Sequence, residues 1–203
     1  MNLNDALEQI QVIHGQMARG EVFRGYRSWT TGFSGVMALA TAILQAVLLP
    51  DAASAGKWYV ALWVAAAVVS LLAVGAEMVL RVRRTGSRLQ ESLTMLALEQ
   101  FMPALVGGGL LTVAILSAAP AMLWLLPGLW QVMFAMGVFG SCRLMPRMTF
   151  WVGAFYLISG VCVILAGKGW AMSPLAMGLP FGIGQMATAA MLYWSLERKH
   201  EGA

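Results

Sequence analysis

The chain has 203 residues, of which 60% are hydrophobic and only 11% charged, against about 25% charge in an ordinary soluble domain. That balance reads as a membrane protein, with no length to spare for a separate soluble domain beside several spans. The formal charge of +4 fits basic loops facing anionic headgroups, whereas nucleic-acid binding needs a basic face with base-reading or aromatic side chains on a soluble element, and no such stretch is present.

Residues 1–28 read as an amphipathic cytoplasmic segment. Leu3, Leu7, Ile10, Ile13 and Met17 recur at helical spacing with Asp5, Glu8, Gln9 and Gln16 elsewhere on the wheel, as on a surface helix. Asn2 is placed to cap it, and Gly15 and Gly20 weaken its end. Its polar face is not rich in Lys or Arg, which argues against a strong anchor to anionic lipid. It lies on its own bundle or at the headgroup level, or docks a cytoplasmic protein through residues 1–20. The segment lacks the continuous apolar core of a cleavable signal, so the first span is expected to serve as an uncleaved one.

Six apolar runs follow, at 29–49, 58–80, 98–118, 121–139, 150–166 and 175–196, with a tail at 197–203. Each is close to the length that spans the roughly 30 Å hydrocarbon core as a helix. Residues 87–98 read as a helical lead-in to the third. The second run sets the orientation, because it ends on Arg81, Arg83, Arg84 and Arg88. Alternating from there, one side receives Arg19, Arg24, Arg27, these four, Arg143, Arg147, Arg198 and Lys199, and the other only Lys57 and Lys168. Basic loops resist translocation, so the rich side is cytoplasmic and holds both termini. Tyr26, Trp29, Trp151, Tyr193 and Trp194 fall near the inner boundary, and Trp58, Tyr59 and Trp170 near the outer one. The expected fold is therefore all-α, a bundle of six transmembrane helices in a bacterial inner membrane. Cys142 and Cys162 fall at the cytoplasmic side and within lipid, and are expected to be free thiols.

Chemistry-bearing residues are sparse. Glu77 lies about one turn above the inner end of the second run and Glu99 about one turn into the third. A charge deep in a span costs roughly 2.5–3.5 kcal/mol on insertion scales and less near the interface. Local pairing explains both, Glu77 with Arg81 and Glu99 with the basic loop; a cytoplasm-facing proton or cation site is the functional alternative. Gln45, Gln131 and Gln185 fall in the first, fourth and sixth runs, as hydrogen-bonding glue between helices or as a polar lining. Pro103, Pro127 and Pro180 each free a carbonyl and are expected to interrupt the third, fourth and sixth runs. Broken helices line cavities in transporters, and a ligand site would lie between Pro103 and Pro180. Gly32, Gly35, Gly107, Gly108, Gly109, Gly178 and Gly182 are read as close-packing positions.

Gly32-Phe33-Ser34-Gly35 matches the Gly-x-Ser-Gly string of rhomboid proteases, but a serine nucleophile needs a base within reach. The two histidines, His14 and His200, lie outside every run, which also excludes a bis-histidine haem. The fifteen methionines read as apolar filler, and no metal-ligand spacing or phosphate-binding loop is present.

Leu126-Pro127-Gly128-Leu129-Trp130, Arg143 and Arg147, Gly153 and Gly160, Pro180-Phe181-Gly182-Ile183-Gly184-Gln185 and the segment entering Trp29 and Gly32 together resemble a family of small six-span bacterial membrane proteins. The resemblance implies the fold and no activity. Two readings stay open. One is a non-enzymatic membrane protein acting as a regulatory or partner-binding subunit. The other is a small-solute or ion transporter built on Glu77, Glu99, Pro103, Gln131, Pro180 and Gln185. Neither needs a cofactor or metal. Partners would be the bilayer, a cytoplasmic protein and a second copy of the chain.

Overall fold

A computed structural model describes residues 28–52, 55–85, 88–142 and 148–194, without the side chains at 81–82, 84–85, 88–94 and 97. The N-terminal amphipathic segment, Arg143, Arg147 and the C-terminal tail lie outside the described residues. All the elements described are helical: α1 (Ser28–Leu48), α2 (Gly56–Thr85), α3 (Arg88–Ala118), a 3-10 segment (Pro120–Leu125), α4 (Leu126–Ser141), α5 (Thr149–Leu165), the short α6 (Gly167–Ala171) and α7 (Pro174–Leu192). Gly167 opens α6 with a φ of 79°, a conformation that costs a residue with a Cβ much more.

Five of these stretches are long and apolar enough to cross a membrane: Ser28–Leu48, Gly56–Leu80, Leu98–Ala118, Pro120–Ser141 and Pro174–Leu192. Their outer faces carry bare aliphatic side chains such as Val47 (71% exposed) and Leu72 (68%), a surface suited to hydrocarbon and not to water. α5 has 17 residues, about 25 Å of helix. Of the expected lead-in at 87–98, residues 88–98 belong to one continuous α3.

Two contacts fix the register of α1 against α2. Trp63 donates its indole N–H to Gln45 Oε1 at 2.8 Å, and the Thr30 hydroxyl donates to the Glu77 carboxyl. Gln45 lies 15 positions after Thr30, and Trp63 14 before Glu77, so both helices cover about 22 Å between the contacts. They run antiparallel and nearly in step. The Ser28 end of α1 is called the lower level below, and the Leu48 end the upper.

Small residues set which helices meet most closely. α1 packs most extensively on α7, where a Cβ at Gly178 would come within 2.5 Å of Ala42 Cβ and one at Gly35 within 3.2 Å of the Gly182 carbonyl. α4 and α5 meet as tightly: a Cβ at Gly128 would lie 2.6 Å from the Gly160 carbonyl, and Gly153 packs on Phe139. Gly128 precedes Phe139 while Gly160 follows Gly153, so α5 runs antiparallel beside α4. α2 packs mainly on α1 and α3 mainly on α4, and α2 and α3 touch each other little. A cleft opens between them.

Three expectations change. Pro103 and Pro180 do not break their helices, since α3 and α7 continue through them. Pro127 sits in the first turn of α4, directly after the 3-10 segment, a helix position that proline favours. Tyr59 is not an interfacial belt residue: it is fully buried beside Trp63, while Trp58 is 71% exposed.

Candidate functional site

The cleft has a volume of about 360 Å³ and takes its walls from α1, α2, α3, α4 and α7. Along α2 it extends from Trp63 to Val74, and along α3 from Phe101 to Thr112. Each is an eleven-residue interval, about 16 Å of helix and roughly half the hydrocarbon thickness. Ala66, Ala67, Gly108 and Gly109 leave the space that larger side chains would fill. Leu71, Leu105, Met133, Phe134 and Phe181 make the wall apolar. Behind it Phe134, Tyr156 and Phe181 form a ring cluster, with centroids 4.7 to 5.4 Å apart, in the range of favourable edge and offset contacts.

The upper end is closed by side-chain hydrogen bonds. Gln45 accepts from Trp63 and donates from Nε2 to the Met172 carbonyl at 2.8 Å, so its buried amide is used on both sides. The Trp130 indole donates to Thr112 Oγ1 at 2.8 Å, while Thr112 donates to the Gly108 carbonyl. Gln131 donates from Nε2 to the Ala176 carbonyl at 2.8 Å. That last bond answers a specific need. Pro180 has no N–H, so the carbonyl four residues earlier, Ala176, has no helical donor. Gln131 supplies one from a neighbouring helix, and α7 passes the proline without breaking. Gln131 Oε1 itself is buried without a partner.

The lower end is polar in a different way. Thr31, Ser34 and Gln185 line it, with Ser70 on the facing wall. Ser34 donates to the Thr31 carbonyl at 2.7 Å, which leaves its oxygen free to accept. Gln185 and Ser70 make no side-chain hydrogen bond among the described residues. Among the described residues no Asp, Glu, Lys, Arg or His lines the cleft.

The residues singled out in the sequence divide accordingly. Gln185 lines the cleft. Pro103 and Pro180 do not, yet their neighbours Phe101, Ala104, Leu105 and Phe181 do. Gln131 is buried behind it as a helix-joining amide. Glu77 is half-buried one turn below Val74, bonded to Thr30, and Glu99 is exposed; neither lines the cleft. Gly35, Gly178 and Gly182 are tight contacts and Gly32 an ordinary one, at 3.6 Å from Ala189 Cβ. Gly107 and Gly108 make ordinary contacts with Met133 of α4, whereas a Cβ at Gly109 would meet nothing within 4 Å, so Gly109 opens space instead of closing it. Sequence reasoning missed Trp63, Trp130 and Thr112, whose polar edges became visible only once the helices were placed side by side. It also missed Thr30 as the partner of Glu77.

Cys142 and Cys162 are free thiols. Burial pushes the Cys142 thiol, just past α4, above its ordinary range, which makes it a slow nucleophile at neutral pH. Among the described residues no three His, Cys, Asp or Glu side chains converge as metal ligands would.

No known protein family matches this chain, and no curated protein or solved structure is found to be similar to it. Its function has to be argued from its own geometry.

Proposed function

We propose that this is a non-enzymatic integral membrane protein that works by binding, and that the cleft between α2 and α3 is its site. The supporting observation is the cleft: about 360 Å³ of apolar space at mid-bundle, bounded by five helices and bordered by two that barely touch. Pockets for small molecules are typically concave, mostly apolar and fitted with a few placed polar groups. In a bilayer the gap between α2 and α3 admits a ligand sideways from the lipid. We further propose six crossings, with α5 as the fifth, both termini in the cytoplasm and a bacterial inner membrane as the location. The distribution of basic residues and the antiparallel packing of α5 on α4 support this. The lower level is then the cytoplasmic one.

This binding role suits a regulatory or partner-binding subunit, with residues 1–20 as the contact for a cytoplasmic protein. The transport reading draws less support, because Glu77 and Glu99 stand outside the cleft and, among the described residues, no charged side chain lines it. The test is retention of bound lipid-soluble molecules. Protein released from native membrane into the mass spectrometer should keep about one such molecule per chain. Ala67→Phe with Gly108→Leu, which fills the cleft from both walls, should remove it. Equal retention by the filled variant would sink the binding reading.

A further inference from the structure

We infer that the ligand of the cleft is a neutral, single-chain amphiphile that enters with its hydrogen-bonding head toward the lower end and its tail toward Trp63 and Trp130. This rests on the binding reading above and adds the head group, its charge and its direction.

The asymmetry of the two ends carries the argument. At the upper end the polar atoms of the lining side chains are already committed: the Trp63 N–H to Gln45, the Trp130 N–H to Thr112, and the Thr112 hydroxyl to the Gly108 carbonyl. What they present to the cleft is ring face and methyl, a fit for hydrocarbon. At the lower end three side chains keep hydrogen-bonding capacity toward the cleft. The Gln185 amide offers two N–H donors and an acceptor, Ser70 offers a hydroxyl, and Ser34 keeps an accepting oxygen. An amide left without a partner in an apolar surround loses hydrogen-bonding free energy, and a ligand with a carbonyl or hydroxyl head restores it.

The position of Gln185 is set by close packing. Gly35 lacks a Cβ, and one built there would lie 3.1 Å from Gln185 Cβ. This glycine lets α7 approach α1 closely enough to hold Gln185 and Ser34 at one depth, so the two act on the same head group.

Charge is excluded by what surrounds the head. Among the described residues no basic side chain lines the cleft to pair an anion. Glu77, one turn below Val74, places an acid at the lower mouth. Among the described residues no acidic side chain lines the cleft to pair a cation. A charged head would be stripped of water without a counter-charge, a cost that neutral heads avoid. The length is set by the slot, about 16 Å from Val74 to Trp63, which takes one extended chain.

Two sources share this chemistry, a long-chain alcohol or glyceride and a prenylated quinone. Photocrosslinking in nanodiscs distinguishes them. Three probes each carry a diazirine at the tail end: a long-chain alcohol, a prenyl benzoquinone and a long-chain alkyl sulfonate, which is charged at every pH. The alcohol or the quinone should label residues around Trp63 and Thr112, and whichever labels more strongly identifies the source. The sulfonate should label these positions about tenfold less or weaker still. Gln185→Leu, close in volume, should lower labelling by the neutral probe about threefold to tenfold, the worth of one buried hydrogen bond. Ser34→Ala should lower it by a smaller factor. Should the sulfonate label the cleft as well as the neutral probes, with Gln185→Leu and Ser34→Ala silent, the head-group inference falls while the binding reading stands. Should every probe label only the lipid-facing surface, the binding reading itself falls, and this inference with it.

Discussion

The Ala176 carbonyl shows how a single residue here is held by chemistry from another helix. Pro180 takes away its natural donor, and Gln131 replaces it from α4 at 2.8 Å. The two residues therefore form one unit, and their substitutions should not add. Gln131→Leu should cost about 1–2 kcal/mol by orphaning that carbonyl in a low-dielectric interior. In a Pro180→Ala background the backbone N–H of residue 180 becomes a donor again, so the same Gln131→Leu change should cost less than half as much. Unfolding in mixed detergent–SDS micelles measures both, and equal costs in the two backgrounds would refute the coupling. The sequence pointed to Gln131 and Pro180 separately, as glue and as a break. It could not show that one repairs the other, because the rotation and depth that bring α4 and α7 together belong to no local pattern.

At the scale of elements, the placing of glycine decides which helices touch and which stay apart. α1 and α7 come together over Gly35, Gly178 and Gly182, whereas Gly108 and Gly109 on α3 face the open cleft. The same residue type thus builds a seam in one place and a space in another. Gly178→Ala puts a Cβ 2.5 Å from that of Ala42. The α1–α7 seam should part slightly, at about 1–3 kcal/mol, the usual range for overpacking. Gly109→Ala meets nothing within 4 Å and should be neutral or stabilising by up to about 1 kcal/mol, because alanine is the better helix former. Thermal melts of the two variants side by side test the contrast, and a loss at Gly109 comparable to that at Gly178 would argue against it. The helices themselves were legible from apolar length, to within a few residues at most ends. The seams were not, since within Gly107-Gly108-Gly109 the first two positions face Met133 and the third faces open space, a difference no local pattern shows. Pro127 likewise reads as a break and proves to be a helix start.

At the scale of the whole molecule, α5 decides how many times the chain crosses. Its 17 residues make about 25 Å of helix, short of the roughly 30 Å core. Such a helix is accommodated by local thinning of the bilayer or by interfacial side chains, at fractions of a kcal/mol per ångström. Trp151 at its lower end is 70% exposed, as an interfacial anchor should be. Beside it, the antiparallel contacts from Gly153 to Phe139 and from Gly160 to Gly128 hold α5 alongside α4 for most of its length. If α5 crosses, Lys57 and Lys168 share the outer side. If it lies flat, Lys168 moves to the cytoplasmic side with the arginines. Both lysines are exposed, and the one other lysine is Lys199. A membrane-impermeant amine reagent applied to intact spheroplasts should therefore modify Lys57 and Lys168 and spare Lys199, read out by peptide mass spectrometry. After lysis all three should react. Modification of Lys57 without Lys168 in the intact sample would mean five crossings and an outward C-terminus, and the lower end of the cleft would no longer share its side with both chain ends.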